Sequence, residues 1–310
     1  MKVVSMIASS TEIICSLDCE KMLVGISHEC DFPPSILHLP VTTEVKFMAD
    51  GKSYDIDQKV KAILQEGLSV YRVKGDLLKD LRPDVIVTQI QCEVCAVSRK
   101  DVEAATCGWL EFQPEIVSLE PNCLEDLWTD ISKVAVALHV PEKGHLLIER
   151  LKKKLYELKL RADSYFRKGQ KKPRIACIEW MNPLMAAGNW VPELVELAGG
   201  ENLFGHPGKH SPWMTWEDLE QADPDIIVVM PCGFGIARSE TEMFNLIEHP
   251  SWKTLTAVKR NEIFIADGNA FFNRPGPRLI DSLEILIDIF YSASSPKRNE
   301  GKGWIRVIPC

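Results

Sequence analysis

The feature that most constrains this chain is that it repeats itself. The segment Leu78-Lys79-Asp80-Leu81-Arg82-Pro83-Asp84-Val85-Ile86-Val87 returns 141 residues later as Leu219-Glu220-Gln221-Ala222-Asp223-Pro224-Asp225-Ile226-Ile227-Val228. Each copy reads as a helix stopped by proline, whose ring and missing N–H cannot continue it, followed by a buried strand. Residues 3–7 and 174–178 read as strands opening each copy. Residues 115–119 and 262–266 read as third strands, each leading into an amphipathic helix. Short β-branched runs alternating with helical patterns predict an α/β protein with parallel sheets, here in two homologous lobes.

Residues 141–169 lie between the copies. Leu147, Leu151, Leu155, Leu158, Ala162 and Tyr165 recur at helical spacing and make one apolar stripe. Pro141 suits the first turn and Gly169 a C-terminal cap, so the stretch predicts a rod about 39 Å long that bridges the lobes. The expected division is 1–140, 141–169, 170–292 and a tail at 293–310. The tail is expected to be loosely packed, with residues 304–308 able to add an edge strand. Two lobes of about 130 to 150 residues suit a chain of this length. A net charge of −8 argues against a nucleic-acid surface, which needs clustered positive charge. No apolar run of membrane-spanning length occurs, and residues 3–7 read as a strand rather than a leader. Ten scattered cysteines fit reduced thiols, so the expectation is a cytoplasmic monomer, or a periplasmic one if a leader has been removed.

In open parallel sheets, ligands sit beyond the carboxyl ends of the strands. In the first lobe that rule selects Ser9, Ser10, Thr11 and Glu12, then His28, Glu29 and Cys30, then Gln91, Cys92 and Cys95. In the second it selects Trp180, Trp190, Phe234, Phe271, Phe272 and Arg274. The first set is polar. The second is aromatic, which suits a large flat ligand.

Ser9 to Glu12 also fits a capping box, with amides able to hold an anion. His28, Cys30, Cys92 and Cys95 form a conceivable zinc set, although the gap between the pairs is long; a redox pair or a plain cleft-lining role are the alternatives. The usual phosphate-loop, nucleophile-elbow and zinc-protease motifs do not occur, so no catalytic residue is assigned.

These segments resemble the class III periplasmic binding-protein family of ABC importers, particularly its vitamin B12-binding branch. The resemblance runs over residues 2–292 and rests on Ala8-Ser9-Ser10-Thr11-Glu12, Ser27-His28-Glu29-Cys30-Asp31, the Pro-Asp strand motif, Thr88-Gln89-Ile90-Gln91-Cys92-Glu93-Val94-Cys95 and Phe272-Asn273-Arg274-Pro275-Gly276-Pro277-Arg278. It implies two Rossmann-like lobes joined by one long helix, a ligand cleft between them, and no catalysis. It further implies cobalamin or another corrinoid as bound ligand, with no cofactor required, and an ABC permease as partner. Docking to that permease would use one acidic residue per lobe, which falls on Asp76 and Glu217, Asp76 being shorter than the family's glutamate. A ferric siderophore or haem is the competing ligand; a chelatase-like metal handler using His28, Cys30, Cys92 and Cys95 is the competing activity.

Overall fold

The structure is a computed structural model; it describes residues 1–46, 51–65, 70–90, 97, 99–106, 113–165 and 171–307. The chain divides into two compact units, Met1–Pro121 with Glu125–Arg150, and Asn122–Leu124 with Leu151–Cys310. Each is an α/β unit with a parallel core.

The first unit contains β1 (Val3–Ser5), β2 (Leu23–Gly25), β3 (Thr43–Val45), β4 (Tyr71–Val73), β5 (Val85–Gln89) and β6 (Glu115–Leu119). Four of these form a parallel sheet in the order β2-β1-β5-β6, while β3 and β4 pair separately and antiparallel. β5 is buried at every residue, as a central parallel strand covered on both faces should be. Val4, Met6, Tyr71, Leu78, Ile86 and Val102 meet in one apolar cluster. Each such fully buried aliphatic or aromatic side chain contributes about 1.5–3 kcal/mol.

The second unit contains β7 (Arg174–Met181), β8 (Leu184–Ala186), β9 (Glu201–Asn202), β10 (Ile226–Val229), β11 (Ile263–Ala266) and β12 (Trp304–Arg306). β9, β7, β10 and β11 are parallel in that order, repeating the first sheet; β8 and β12 add antiparallel pairings.

The duplication is visible atom by atom. Val3 pairs with Val85 as Ile175 pairs with Ile226. The backbone N–H of Lys2 donates to Asp84 Oδ2 at 2.6 Å, and that of Arg174 to Asp225 Oδ2 at 3.0 Å. In return the Asp84 and Asp225 N–H groups donate to the Lys2 and Arg174 carbonyls, both at 2.8 Å. The helices Gly75–Leu81 and Trp216–Ala222 end alike, on left-handed residues Arg82 (φ 49°) and Asp223 (φ 39°) just before the prolines. Each Pro-Asp motif therefore turns a helix into a central strand and pins the start of its neighbour.

The chain passes from the first unit to the second within one helix, Pro141–Tyr165, 25 residues and about 37 Å long. Leu147, Leu151, Leu158 and Ala162 of the expected stripe are buried; Leu155 and Tyr165 are half-buried. Gly144 permits close packing, since a Cβ there would stand 2.5 Å from Ala135 Cβ. Farther along, Lys154 and Arg161 bind Asp281 and Glu284 of the helix Leu279–Phe290 at 2.6 and 2.8 Å. Residue 169, the expected cap, lies outside the described residues.

Two expectations are corrected. The capping box at Ser9–Glu12 does not form: the helix Ala8–Ser16 is already under way at Ser9, with Ile7 at the N-cap, and β1 ends at Ser5 to make room for it. The tail is not loose. Trp304 is fully buried, edge-on to Phe264 at 5.6 Å, and β12 pairs with β11. Asp288, also fully buried, holds the tail through Ser295 Oγ at 2.6 Å and the Asn299 N–H at 3.2 Å.

Candidate functional site

Beyond β1 in the first unit, Ser9, Ser10, Thr11 and Glu12 are all buried. Ser5 gathers the hydroxyls, with Ser10 Oγ at 2.6 Å and Thr11 Oγ1 at 2.7 Å. Thr11 also contacts Cys30 Sγ at 3.1 Å. Ser9 Oγ is buried with no hydrogen-bond partner among the described residues.

Beyond β2, Ser27, His28 and Glu29 meet the start of β3 and β4. The His28 backbone N–H donates to Thr43 Oγ1 at 3.0 Å, and its ring Nδ1 lies 2.7 Å from the same oxygen. Thr43 donates its own proton to Ser27 Oγ at 3.1 Å. The His28 ring stands 5.3 Å from the Tyr71 ring, and the Tyr71 hydroxyl donates to Glu29 Oε1 at 3.2 Å. Burial first, then the nearby Lys74 charge, lowers the His28 pKa below its ordinary value. Its Nε2 is buried and has no hydrogen-bond partner among the described residues.

Gln91, Cys92 and Cys95 lie outside the described residues, so the four-residue zinc set stays untested; among the described residues no group of three potential ligands gathers. Nearby, burial pushes the Cys15 thiol up to about 12, with Glu20 and Cys30 adding to the effect, so that thiol stays protonated.

Beyond the strands of the second unit the surface is aromatic. Trp180, half-buried at the end of β7, packs on Phe234 with ring centres 5.3 Å apart. The Arg238 guanidinium lies 3.8 Å over the other ring partner, Phe234. Trp180 Nε1 is buried without a partner among the described residues. Phe271 is half-buried under the Arg278 guanidinium at 5.4 Å. Trp190 and Phe272, by contrast, are enclosed, at 5% and 0% exposure, and the Trp190 N–H donates to the Phe272 carbonyl at 2.8 Å. They hold the loop from below. Arg274 is buried and reaches Asn269 Oδ1 at 3.1 Å. Gly268 is required where this loop crosses Pro231 and Met230, since a Cβ would collide with their carbonyl oxygens.

Asp76 and Glu217 occupy the same place, exposed in the first turns of the helices Gly75–Leu81 and Trp216–Ala222. A concavity of about 940 Å³ opens at the opposite, amino-terminal end of the second sheet, near Lys172 and Arg260. Two of its cations are matched internally, Lys172 by Glu196 at 3.1 Å and Arg260 by Asp225 at 3.3 Å.

A sequence model described as "Periplasmic binding protein" matches residues 3–270. The chain belongs to this family. Its members are substrate-binding proteins that bind a small ligand and work with ABC permeases. A vitamin B12-binding protein of Vibrio cholerae is 22% identical over 289 residues, 91% of this chain and 86% of that one. Among solved structures, a possible iron-binding periplasmic protein from Staphylococcus epidermidis superposes with a TM-score of 0.70 at 18% identity, covering 94% of this chain and 98% of the other. A periplasmic haem-binding protein from Pseudomonas aeruginosa gives 0.68 at 19%, covering 95% and 94%. At these identities the superpositions establish the fold. The family resemblance read from the sequence is met, and so is the α/β fold class.

Three residues near the strand ends, Thr43, Tyr71 and Arg278, escaped the candidate set. Thr43 and Tyr71 belong to the separate β3–β4 pair, which the duplication does not contain. Arg278 stacks on Phe271, seven residues before it, a spacing the sequence displays but does not single out.

Proposed function

We propose that this chain is a non-catalytic substrate-binding protein for a corrinoid such as cobalamin, which it delivers to an ABC permease. The observation that carries the reading is the pair of half-buried aromatics Trp180 and Phe271 on strand-end loops of the second unit. Placed at carboxyl ends of parallel strands, they offer a flat apolar seat where such sheets receive ligands. The curated B12-binding relative, aligned over most of both chains, supports the same ligand.

In this reading Trp180 and Phe271 touch the ligand and Phe234, 3% exposed, supports Trp180, while His28 and Glu29 are polar candidates at the strand ends of the first unit. Trp190, Phe272 and Arg274 shape the loop that presents them. Asp76 and Glu217 are the permease contacts. Family membership favours work outside the cytoplasm over the cytoplasmic place expected from thiol usage. No helix among the described residues is long and apolar enough to cross a membrane.

Calorimetric titration with cyanocobalamin and cobinamide tests the proposal. Saturable heat at one site is the expected result, and Trp180→Ala should weaken it by about tenfold or more, since a central buried aromatic contact is worth 2 kcal/mol or above. Absence of heat with both compounds rejects it. Haem is the second reading, favoured by the guanidinium groups of Arg238 and Arg278 beside the aromatics, which suit a ligand carrying carboxylates. Haemin in the same titration decides between the two.

A further inference from the structure

The duplication sets two acidic side chains at equivalent positions and then surrounds them differently. The offset of 141 residues places Gly75-Asp76-Leu77 opposite Trp216-Glu217-Asp218, and Lys74 and Lys79 opposite Thr215 and Glu220. Asp76 and Glu217 are each the second residue of their helix, and both are exposed.

The helix start that carries Glu217 is fixed twice. Thr215 Oγ1 accepts the Asp218 N–H at 3.1 Å, and Asp218 Oδ2 accepts the Thr215 N–H at 2.8 Å, which completes a capping box. Trp216 lies flat on His249, ring centres 3.9 Å apart and planes 1° apart, and the buried Trp252 ring meets it edge-on at 6.5 Å. Cap and stack together hold the first turn, so Glu217 rises from a backbone with little freedom left to lose on binding. At Asp76 neither device occurs among the described residues. The N-cap is Lys74, which makes no side-chain capping bond. Gly75 has no side chain to stack, and Leu77 stands where Asp218 closes the box.

The charges diverge as well. Over residues 74–81, Lys74 and Lys79 offset Asp76 and Asp80. Over residues 215–222, Glu217, Asp218 and Glu220 are joined by no cation, and all three are exposed. Carboxylates grouped in this way draw a basic partner surface and speed its encounter. Lys74, two residues before Asp76, works against the same partner.

We infer that docking to the permease is asymmetric: the helix start Trp216–Asp218 is the primary contact for a basic, guanidinium-bearing surface of the permease, and Asp76 is a weak second one. This rests on the permease partnership proposed above and assigns unequal shares to its two contacts. Thr215 and Trp216 are positioning residues, acting through the backbone of Glu217.

The affinity of the full chain for the corrinoid-importing ABC permease of the same organism, reconstituted in nanodiscs, tests the inference. Glu217→Gln should weaken binding by about tenfold or more, and Asp76→Asn by about threefold or less. Both substitutions keep the side-chain size at exposed positions, and circular dichroism checks that the variants fold. Thr215→Ala should weaken binding about threefold and Thr215→Ser should restore it, because serine makes the same cap. Lys74→Thr combined with Lys79→Glu gives the first helix the charge of the second, and in that background Asp76→Asn should cost clearly more than it does alone. Equal losses from Glu217→Gln and Asp76→Asn, or a larger loss at Asp76, overturn the asymmetry and leave the permease partnership standing. No binding of the unaltered chain overturns both, while the ligand reading keeps its own calorimetric test.

Discussion

Asp130 shows how a single enclosed carboxyl sets a pH dependence. It is 1% exposed; Oδ1 receives the Glu120 N–H at 3.4 Å and Lys133 at 3.3 Å, while Oδ2 is buried without a partner among the described residues. Burial, only partly opposed by Lys133, raises its pKa from 3.8 to about 6. The folded value lies above the unfolded one, so the associated stability is fully present below pH 3.8 and is lost as pH rises through 6. Asp130→Asn removes this titration. It should leave stability near pH 4 almost unchanged and raise it at pH 7.5 by up to about 3 kcal/mol, read from urea unfolding at the two pH values. At this same scale the sequence misleads most. Ser9 and Glu12 have the spacing of a capping box, but Ser5, outside the motif, gathers the hydroxyls of Ser10 and Thr11 inside the helix start. Trp190 and Phe272 look like the half-buried Trp180 and Phe271 in composition, and only coordinates separate the supporting ring from the presenting one.

Strands and helices were far more legible, because their signals are redundant. Pro83 and Pro224 each stop a helix, the runs after them are apolar throughout, and the fixed offset between Asp84 and Asp225 ties both to the same job. The β3–β4 pair has no counterpart in the second copy and short, mixed strands, so neither repetition nor pattern announced it. β12 was readable as an edge strand but not as a buried one, since the Ser, Lys and Gly around it suggest solvent. Its anchor is Trp304, so Trp304→Ala should cost about 3–5 kcal/mol in denaturant unfolding. Trp304→Phe should cost clearly less: it keeps most of the apolar surface and removes a buried N–H that has no partner.

For the molecule as a whole, the two-fold repetition of fold was written in the chain, and the chemistry of the ligand was only half written. Aromatic loops pointed to a flat molecule, whereas His28 is held through Thr43, a residue outside the repeat. A ligand that binds the folded chain alone must stabilise it: at a hundred times its Kd the gain is about 2.7 kcal/mol, or roughly 5–10 °C in Tm for a unit of this size. A thermal scan with aquocobalamin at that excess should show the shift, and an unmoved transition would contradict binding to the native state. The last strand has a consequence beyond its own unit. Ile263, Phe264 and Ile265 form an apolar row whose free flank would invite pairing with the same row of another copy. β12 occupies that flank, is only three residues long, and ends in Arg306, which is bound to Glu262 at 3.1 Å. The border a second copy would meet is therefore a three-residue strand closed by a charge rather than the apolar row.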